Sequence, residues 1–371
     1  MHVITSLDTG GAEMMLLKLL SASREDWDHA VVSLADEGTI GPGISALGIP
    51  VYSLGMRRSV AGPFRALSIA RLTRRFGPHL IQGWMYHGNL MASFAAFCSK
   101  KHVPVIWNVQ MSLYDVATEP WLTATAIRLG AHFSRRASTI VYNSQLSARQ
   151  HEAFGYRAAQ QIVIPTGFDC EIFRPDENAR HQVREELGVA DDDIVVGLIA
   201  RFHPMKDHAG FLQAAGQVAR KHPKVRFVLA GRGVTPDEPI ISKMIQEQHL
   251  QDRVFLLGER SDIPRLNASF DIACSASAWG EGCSNSIGEA MACGVPCAVT
   301  DVGDSAHIVG DTGIAAPPRD PGRLAQAIGQ LIEAGADHRK HLGAAARQRI
   351  ETDFSLTVIT RRYGDLYRSC L

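Results

Sequence analysis

Residues 280–294 read GEGCSNSIGEAMACG, and two acids, Glu281 and Glu289, stand in this stretch with seven residues between them. The apolar run 270–274 before it predicts a strand, 275–282 a small-residue loop at the strand's carboxyl end, and 285–293 a helix. Glycines at 280 and 282 let the backbone approach a ligand closely and take positive φ without a Cβ clash. The N–H groups of Cys283, Ser284 and Asn285 have no partner within a helix that begins there, so they open toward a polar group in the loop.

Outward from this stretch the chain alternates strand-like and helix-like runs. Strands are expected at 2–6, 30–34, 50–53, 79–83, 103–108 and 138–142, and helices at 11–22, 63–76, 87–98, 120–135 and 145–154. A second series follows, with strands at 194–200, 225–230, 253–257, 270–274 and 296–300 and helices at 209–221, 322–333 and 337–350. Repeated strand-then-helix order indicates α/β architecture, parallel sheets covered on both faces. Turn residues around Ile164-Pro165-Thr166-Gly167 mark a boundary, so the expectation is two Rossmann-like domains, 1–165 and 166–352, facing a central cleft. The triple Asp191-Asp192-Asp193 reads as a solvated loop.

Composition narrows the partners. The chain has 371 residues, 46% apolar, which suffices for two cores without disulfides. Its seven cysteines are odd in number and lie mostly in strand-like or helix-like runs, as in a reducing compartment. Cys293 and Cys297 are separated by a helix-to-strand turn with no second Cys or His pair, so no metal site is expected. No segment reaches the length of a membrane span, and the start, MHVITSLDTGG, lacks the charged and apolar regions of a signal peptide. A cytoplasmic protein with no nucleic-acid partner is expected.

Charge is zero overall but uneven. Residues 1–165 hold 15 Lys and Arg against 10 Asp and Glu, a net of +5. Between Glu37 and Asp115 no acid occurs, while Arg57, Arg58, Arg65, Arg71, Arg74, Arg75, Lys100 and Lys101 accumulate. The basic half suits an anionic acceptor or peripheral contact with the inner face of a membrane, although 62–76 reads first as a surface helix packed on its sheet.

Several loops at strand ends carry candidate chemistry. Asp8-Thr9-Gly10-Gly11-Ala12-Glu13 is either a backbone phosphate cradle or an ordinary tight turn. Trp84-Met85-Tyr86-His87-Gly88-Asn89 places His87 in the same class of loop. In the second half, Arg201 and Lys206, the Gly231 turn and the glutamate stretch converge. A forked Arg and a mobile Lys suit a pyrophosphate, and a carboxylate suits ribose hydroxyls. A sugar nucleotide meets all these demands. The dinucleotide fingerprint G-x-G-x-x-G is absent, which disfavours an NAD-dependent dehydrogenase.

Four segments together resemble the retaining family 4 glycosyltransferases of GT-B fold. They are Gly10-Gly11-Ala12-Glu13, Ala200-Arg201 through Lys206-Asp207, Glu281-Gly282 through Glu289 to Pro296, and Thr300-Asp301-Val302-Gly303. The resemblance covers nearly the whole chain. It implies that Glu289 holds the donor ribose, Arg201 and Lys206 the pyrophosphate, and Glu281 with the backbone of Gly282, Cys283, Ser284 and Asn285 the hydroxyls of the donor sugar. Gly10 and Gly11 would bind the phosphates, His87 would stand near the transferred sugar, and 353–371 would cross back onto the first domain. The sequence departs from the family pattern at Thr166, Asp304 and His307, and Cys283-Ser284-Asn285 lacks a common aromatic–Gly pair, which leaves the donor sugar open.

The implied activity is transfer of a hexose-type sugar from a nucleoside diphosphate sugar, UDP favoured, to a saccharide or lipid-linked acceptor. Anomeric configuration would be retained, and no cofactor or metal is expected. His87, Glu281, Arg201 and Lys206 are the catalytic candidates. A GT-B-shaped nucleotide-sugar epimerase or hydrolase, or a non-catalytic sugar-nucleotide-binding subunit, is the alternative.

Overall fold

The structure, a computed structural model, describes residues 1–56 and 62–371. Arg57 and Arg58, and the side chains of Phe64 and Arg65, lie outside the described residues. Two compact units emerge, one of residues 1–167 with 356–371, the other of 168–355.

The first unit holds seven strands: β1 His2–Ile4, β2 Val31–Ser33, β3 Val51–Ser53, β4 Ile81–Trp84, β5 Val105–Val109, β6 Thr139–Tyr142 and β7 Gln160–Val163. Their order is β3-β2-β1-β4-β5-β6-β7, parallel throughout. Side chains alternate across the sheet, so Val3, Val32 and Trp107 enter one core while Ile4, Val31 and Ile106 enter the other. Each such aliphatic burial contributes about 1.5–3 kcal/mol. The helix Leu356–Cys370 belongs to this unit. Its Tyr363 hydroxyl accepts from Asn108 Nδ2 at 2.8 Å, and its Tyr367 hydroxyl donates to Gln82.

The second unit holds β8 Ile194–Ile199, β9 Val225–Ala230, β10 Val254–Leu256, β11 Ile272–Ser275, β12 Cys297–Thr300 and β13 Ile314–Ala316. The order is β10-β9-β8-β11-β12-β13, again all parallel. One face packs Val196, Phe227 and Ile272, the other Val195, Val228 and Val299 against Ile287 and Met291.

In each sheet the chain reverses its direction of winding once, between β1 and β4 and between β8 and β11. Loops part there at the carboxyl ends, and the crevice they leave is where open α/β sheets take ligands. The edge strands β7 and β13, whose residues are mostly half-buried or exposed, were not expected from the sequence, whereas the opposite edges β3 and β10 were. The sequence also gives no warning of the helices Gly41–Ala46, Glu177–Glu186, Pro239–Glu247 and Ile263–Ala268. No helix among the described residues is long and apolar enough to cross a membrane.

Candidate functional site

In the second unit the loops after β8 and β11 meet at the winding reversal. After β8, residues Pro204–Lys206 form one 3₁₀ turn, started by the His203 side chain accepting from the Met205 N–H at 3.2 Å. Asp207 takes a left-handed φ of 47° and caps the helix His208–Lys221 by accepting from Gly210 N–H at 3.0 Å. The turn is pinned to the β11 loop, since Ala278 N–H donates to Met205 C=O at 2.8 Å. Lys206 is thereby delivered to Glu281, and its ammonium donates to Glu281 Oε1.

Glu281 is buried at 7% exposure. The same Oε1 accepts the Ser277 hydroxyl at 2.6 Å, and Ser277 is held in turn by the Thr300 hydroxyl, which donates to the Ser277 carbonyl at 2.7 Å. A buried carboxylate keeps its charge only with such partners. The loop from β12 supports the next residue: Asp304 N–H donates to Gly282 C=O at 2.9 Å. Gly303, at φ 66°, comes so close that a Cβ would stand 2.5 Å from that oxygen.

The helix Asn285–Ala292 starts at Ser284, which is buried and supplies no side-chain cap. Its first N–H groups stay open for an outside acceptor, and a helix N-terminus favours an anion. Glu289 lies half-buried on the body of this helix. Arg201, just past β8, is exposed, with no ion pair among the described residues. The structure therefore gathers Arg201, Lys206, Glu281, Gly282, Cys283, Ser284 and Asn285 at one end of the sheet. Ser277 and Trp279, whose ring lies 5.2 Å from the Arg319 guanidinium, were not singled out from sequence, and Thr300 was noted only as part of the segment 300–303. No motif spacing marks them, because they act through contacts across the fold.

In the first unit, Gly10 and Gly11 open the helix Gly11–Ser23 beside β1, with no side-chain cap. Glu13 folds back over Gly10, where a Cβ would stand 2.4 Å from its Oε2. Burial pushes the Glu13 carboxyl above its ordinary range. A phosphate at this turn has to displace that acid. The helix expected at 87–98 starts two residues earlier, at Met85, because β4 runs straight into it, so His87 stands in its first turn rather than in the loop 84–89. The junction is made by Met85 at φ 63°, a conformation that costs about 1–2 kcal/mol for a side chain of this kind. Burial lowers the His87 pKa, partly offset by a hydrogen bond at the Leu122 backbone, which favours the neutral ring. A neutral imidazole can accept or donate one proton.

Two parallel Rossmann-like units with ligand loops at each winding reversal define the GT-B class. The family description "Glycosyl transferase 4-like domain" matches residues 10–167, and "Glycosyl transferases group 1" matches 193–334. The chain belongs to the group 1 glycosyltransferases.

Among its relatives is the UDP-Gal:alpha-D-GlcNAc-diphosphoundecaprenol alpha-1,3-galactosyltransferase of Escherichia coli, 31% identical over 142 residues, 38% of this chain and 36% of that protein. The N-acetyl-alpha-D-glucosaminyl L-malate synthase of Bacillus anthracis is 28% identical over 192 residues, 51% of this chain and 49% of the relative. These matches thus span half or less of each relative's length. The crystal structure of Anabaena HepE in complex with UDP superposes with a TM-score of 0.87 at 24% identity, covering 99% of each chain, a likeness of fold.

Proposed function

We propose that this protein transfers a hexose-type sugar from a nucleoside diphosphate sugar, UDP favoured, to a hydroxyl of a saccharide or lipid-linked saccharide acceptor, with retention at the anomeric carbon. The observation that carries the reading is the meeting of Lys206 and Glu281 at the winding reversal of the second sheet, beside an uncapped helix start. The E. coli relative, by its name, uses UDP-Gal and a diphosphoundecaprenol-linked acceptor, which supports both the base and the acceptor class.

In this reading Arg201 and Lys206 bind the diphosphate and stabilise the charge that grows on it as the bond from the anomeric carbon breaks. Glu281 and the backbone of Gly282, Cys283, Ser284 and Asn285 take the sugar hydroxyls, and Glu289 takes the ribose. Gly10 and Gly11 act as a backbone anion cradle, and His87 stands by the transferred sugar. The acceptor oxygen forms the new bond on the face the diphosphate leaves, and its proton passes to the departing phosphate. Two cations and helix N–H groups do the work of leaving-group stabilisation, so the reaction is assigned as metal-independent. The basic first half is assigned to anionic membrane at the cytoplasmic face, which vesicle flotation with and without anionic lipid would check.

The reading is tested by a thermal-shift panel of UDP-, GDP-, ADP- and dTDP-sugars on the wild type and on the Arg201→Ala and Glu289→Ala variants. A ligand at 100 times its dissociation constant adds about 2.7 kcal/mol. UDP-sugars should shift the wild type and neither variant. Wild-type binding and turnover in both variants would sink the donor-site assignment, and activity abolished by a chelator and restored by a divalent ion would sink metal independence.

A further inference from the structure

A cavity of about 470 Å³ lies in the 168–355 unit at the amino ends of β11 and β12. The sheet separates it from the candidate donor loops, which sit at the carboxyl ends. Phe270, Val295 and Pro296 give it an apolar wall, and Arg180, Arg339 and Lys340 a cationic one. Its volume falls within the range of small-molecule sites.

Arg339 is buried at 8% exposure. Its Nη1 donates to the carbonyls of Leu331 at 3.2 Å and Ile332 at 3.0 Å. Among the described residues Nε and Nη2 have no partner, and no carboxylate pairs with this guanidinium. Asp271 in the same wall is already engaged. Its Oδ1 takes Arg180 at 2.7 Å, and its Oδ2 takes Arg184 at 3.2 Å and Val195 N–H at 2.8 Å. The cavity lining is balanced in formal charge, Arg180, Arg339, Lys340 and Arg347 against Asp176, Glu177, Asp271 and Glu351, but Asp271 is taken up by its two arginines. Of the remaining acids, Glu351 pairs with Arg347 at 2.7 Å, Asp176 caps Ala179 N–H at 2.9 Å, and Glu177 stands on the exposed rim. Lys340 is exposed, without a partner among the described residues.

A second feature has the same polarity. The helix Ala336–Arg349 begins at the cavity wall, and its N-cap, Gly335, provides no side-chain acceptor. Open N–H groups at a helix start favour an anion. A buried guanidinium with a free edge can clasp two oxygens of one group, while an ammonium adds a point charge. Two cations and a helix start together suit a dianion better than a single carboxylate.

We propose that this cavity binds a small organic phosphate, its phosphate on the free edge of Arg339 and on Lys340, and its sugar-sized body along Phe270 and Pro296. The site has a route to the donor region. Arg347, also in the wall, donates to the carbonyl of Ala292 at 2.5 Å and to that of Phe173 at 3.1 Å, so it holds the end of the helix that carries Glu289. That consequence rests on the proposed donor role of Glu289, whereas binding itself does not.

The test is isothermal titration with glucose 6-phosphate, with glucose and citrate as comparison probes. Wild type should bind glucose 6-phosphate but not glucose, and citrate more weakly. An Arg201→Ala, Lys206→Ala double variant should bind it as wild type does. Lys340→Glu, a surface change, should weaken binding about tenfold or more by charge reversal, and Arg339→Met should abolish it. Absence of binding to wild type, loss in the Arg201, Lys206 variant, equal binding of citrate, or wild-type affinity in Lys340→Glu would each overturn the proposal.

Discussion

Lys206 and Ser277 both donate to one oxygen of Glu281, the lysine through its ammonium and the serine through a 2.6 Å hydrogen bond. The cation assigned to the diphosphate and the acid assigned to the sugar are therefore partners of each other. A donor that engages both has to draw Lys206 toward phosphate while Ser277 keeps Glu281 in place.

Ser277→Ala removes that anchor without touching Lys206. A hydrogen bond to a charged group contributes about 1.5–3 kcal/mol, so turnover should fall roughly ten- to hundredfold. Affinity for UDP alone, which has no sugar for Glu281 to hold, should stay near wild type. Equal losses in UDP binding and turnover would place Ser277 in general loop integrity instead.

Lys206→Met should destabilise the fold, because Glu281 is then a buried carboxylate without its cation. Breaking such a pair costs about 3–5 kcal/mol when fully buried. The lysine side chain is 19% exposed, so roughly 2 kcal/mol is the expected loss. Adding Glu281→Gln should recover most of the melting temperature but none of the activity. A single variant as stable as wild type would contradict the pairing.

Gly288 sits on the helix that bears Glu289, and a Cβ there would stand 2.1 Å from the Phe168 ring. Overpacking of this kind costs about 1–3 kcal/mol. Gly288→Ala should lower the urea midpoint, and a second change, Phe168→Leu, should restore part of the loss by vacating the ring. Additive losses in the pair would show that the contact is not the cause.

His151 supplies a pH dependence. Its Nδ1–H donates to the Ser147 carbonyl at 2.8 Å and its Nε2 accepts the Tyr86 hydroxyl at 3.0 Å, a neutral ring with both nitrogens used. Burial lowers its pKa to about 4, against an ordinary 6.5. Because the folded value is the lower one, the unfolded chain takes up the proton first as pH falls. Stability is thus full above about 6.5 and drains away toward 4, by up to about 3 kcal/mol from this residue. Urea midpoints at pH 7.5 and pH 5 should differ less in His151→Gln than in wild type, and an unchanged difference would refute the assignment.

Much of the architecture was legible because both sheets are buried on two faces. A strand such as β8 or β12 must then be apolar along its length, and it announces itself in the sequence. The glycine-flanked stretch around Glu281 and Glu289 was legible for a similar reason: a helix start that serves a ligand needs small residues before it. Of the four edge strands, β3 and β10 were legible from short apolar runs, while β7 opens on Gln160-Gln161 and β13 has only three residues, Ile314–Ala316, too little apolar pattern to read.

By itself the sequence determined the alternation of strands and helices, the loops at their carboxyl ends, and the acids and bases those loops carry. Only the tertiary structure decided that Ser277 and Lys206 share one oxygen of Glu281, that Met85 takes a left-handed φ where β4 meets its helix, and that Arg339 lies buried with no carboxylate in direct contact. These are contacts between residues distant in the chain or dihedral choices forced by packing. Local periodicity and residue type record neither, because each depends on which neighbours the fold brings within a hydrogen bond.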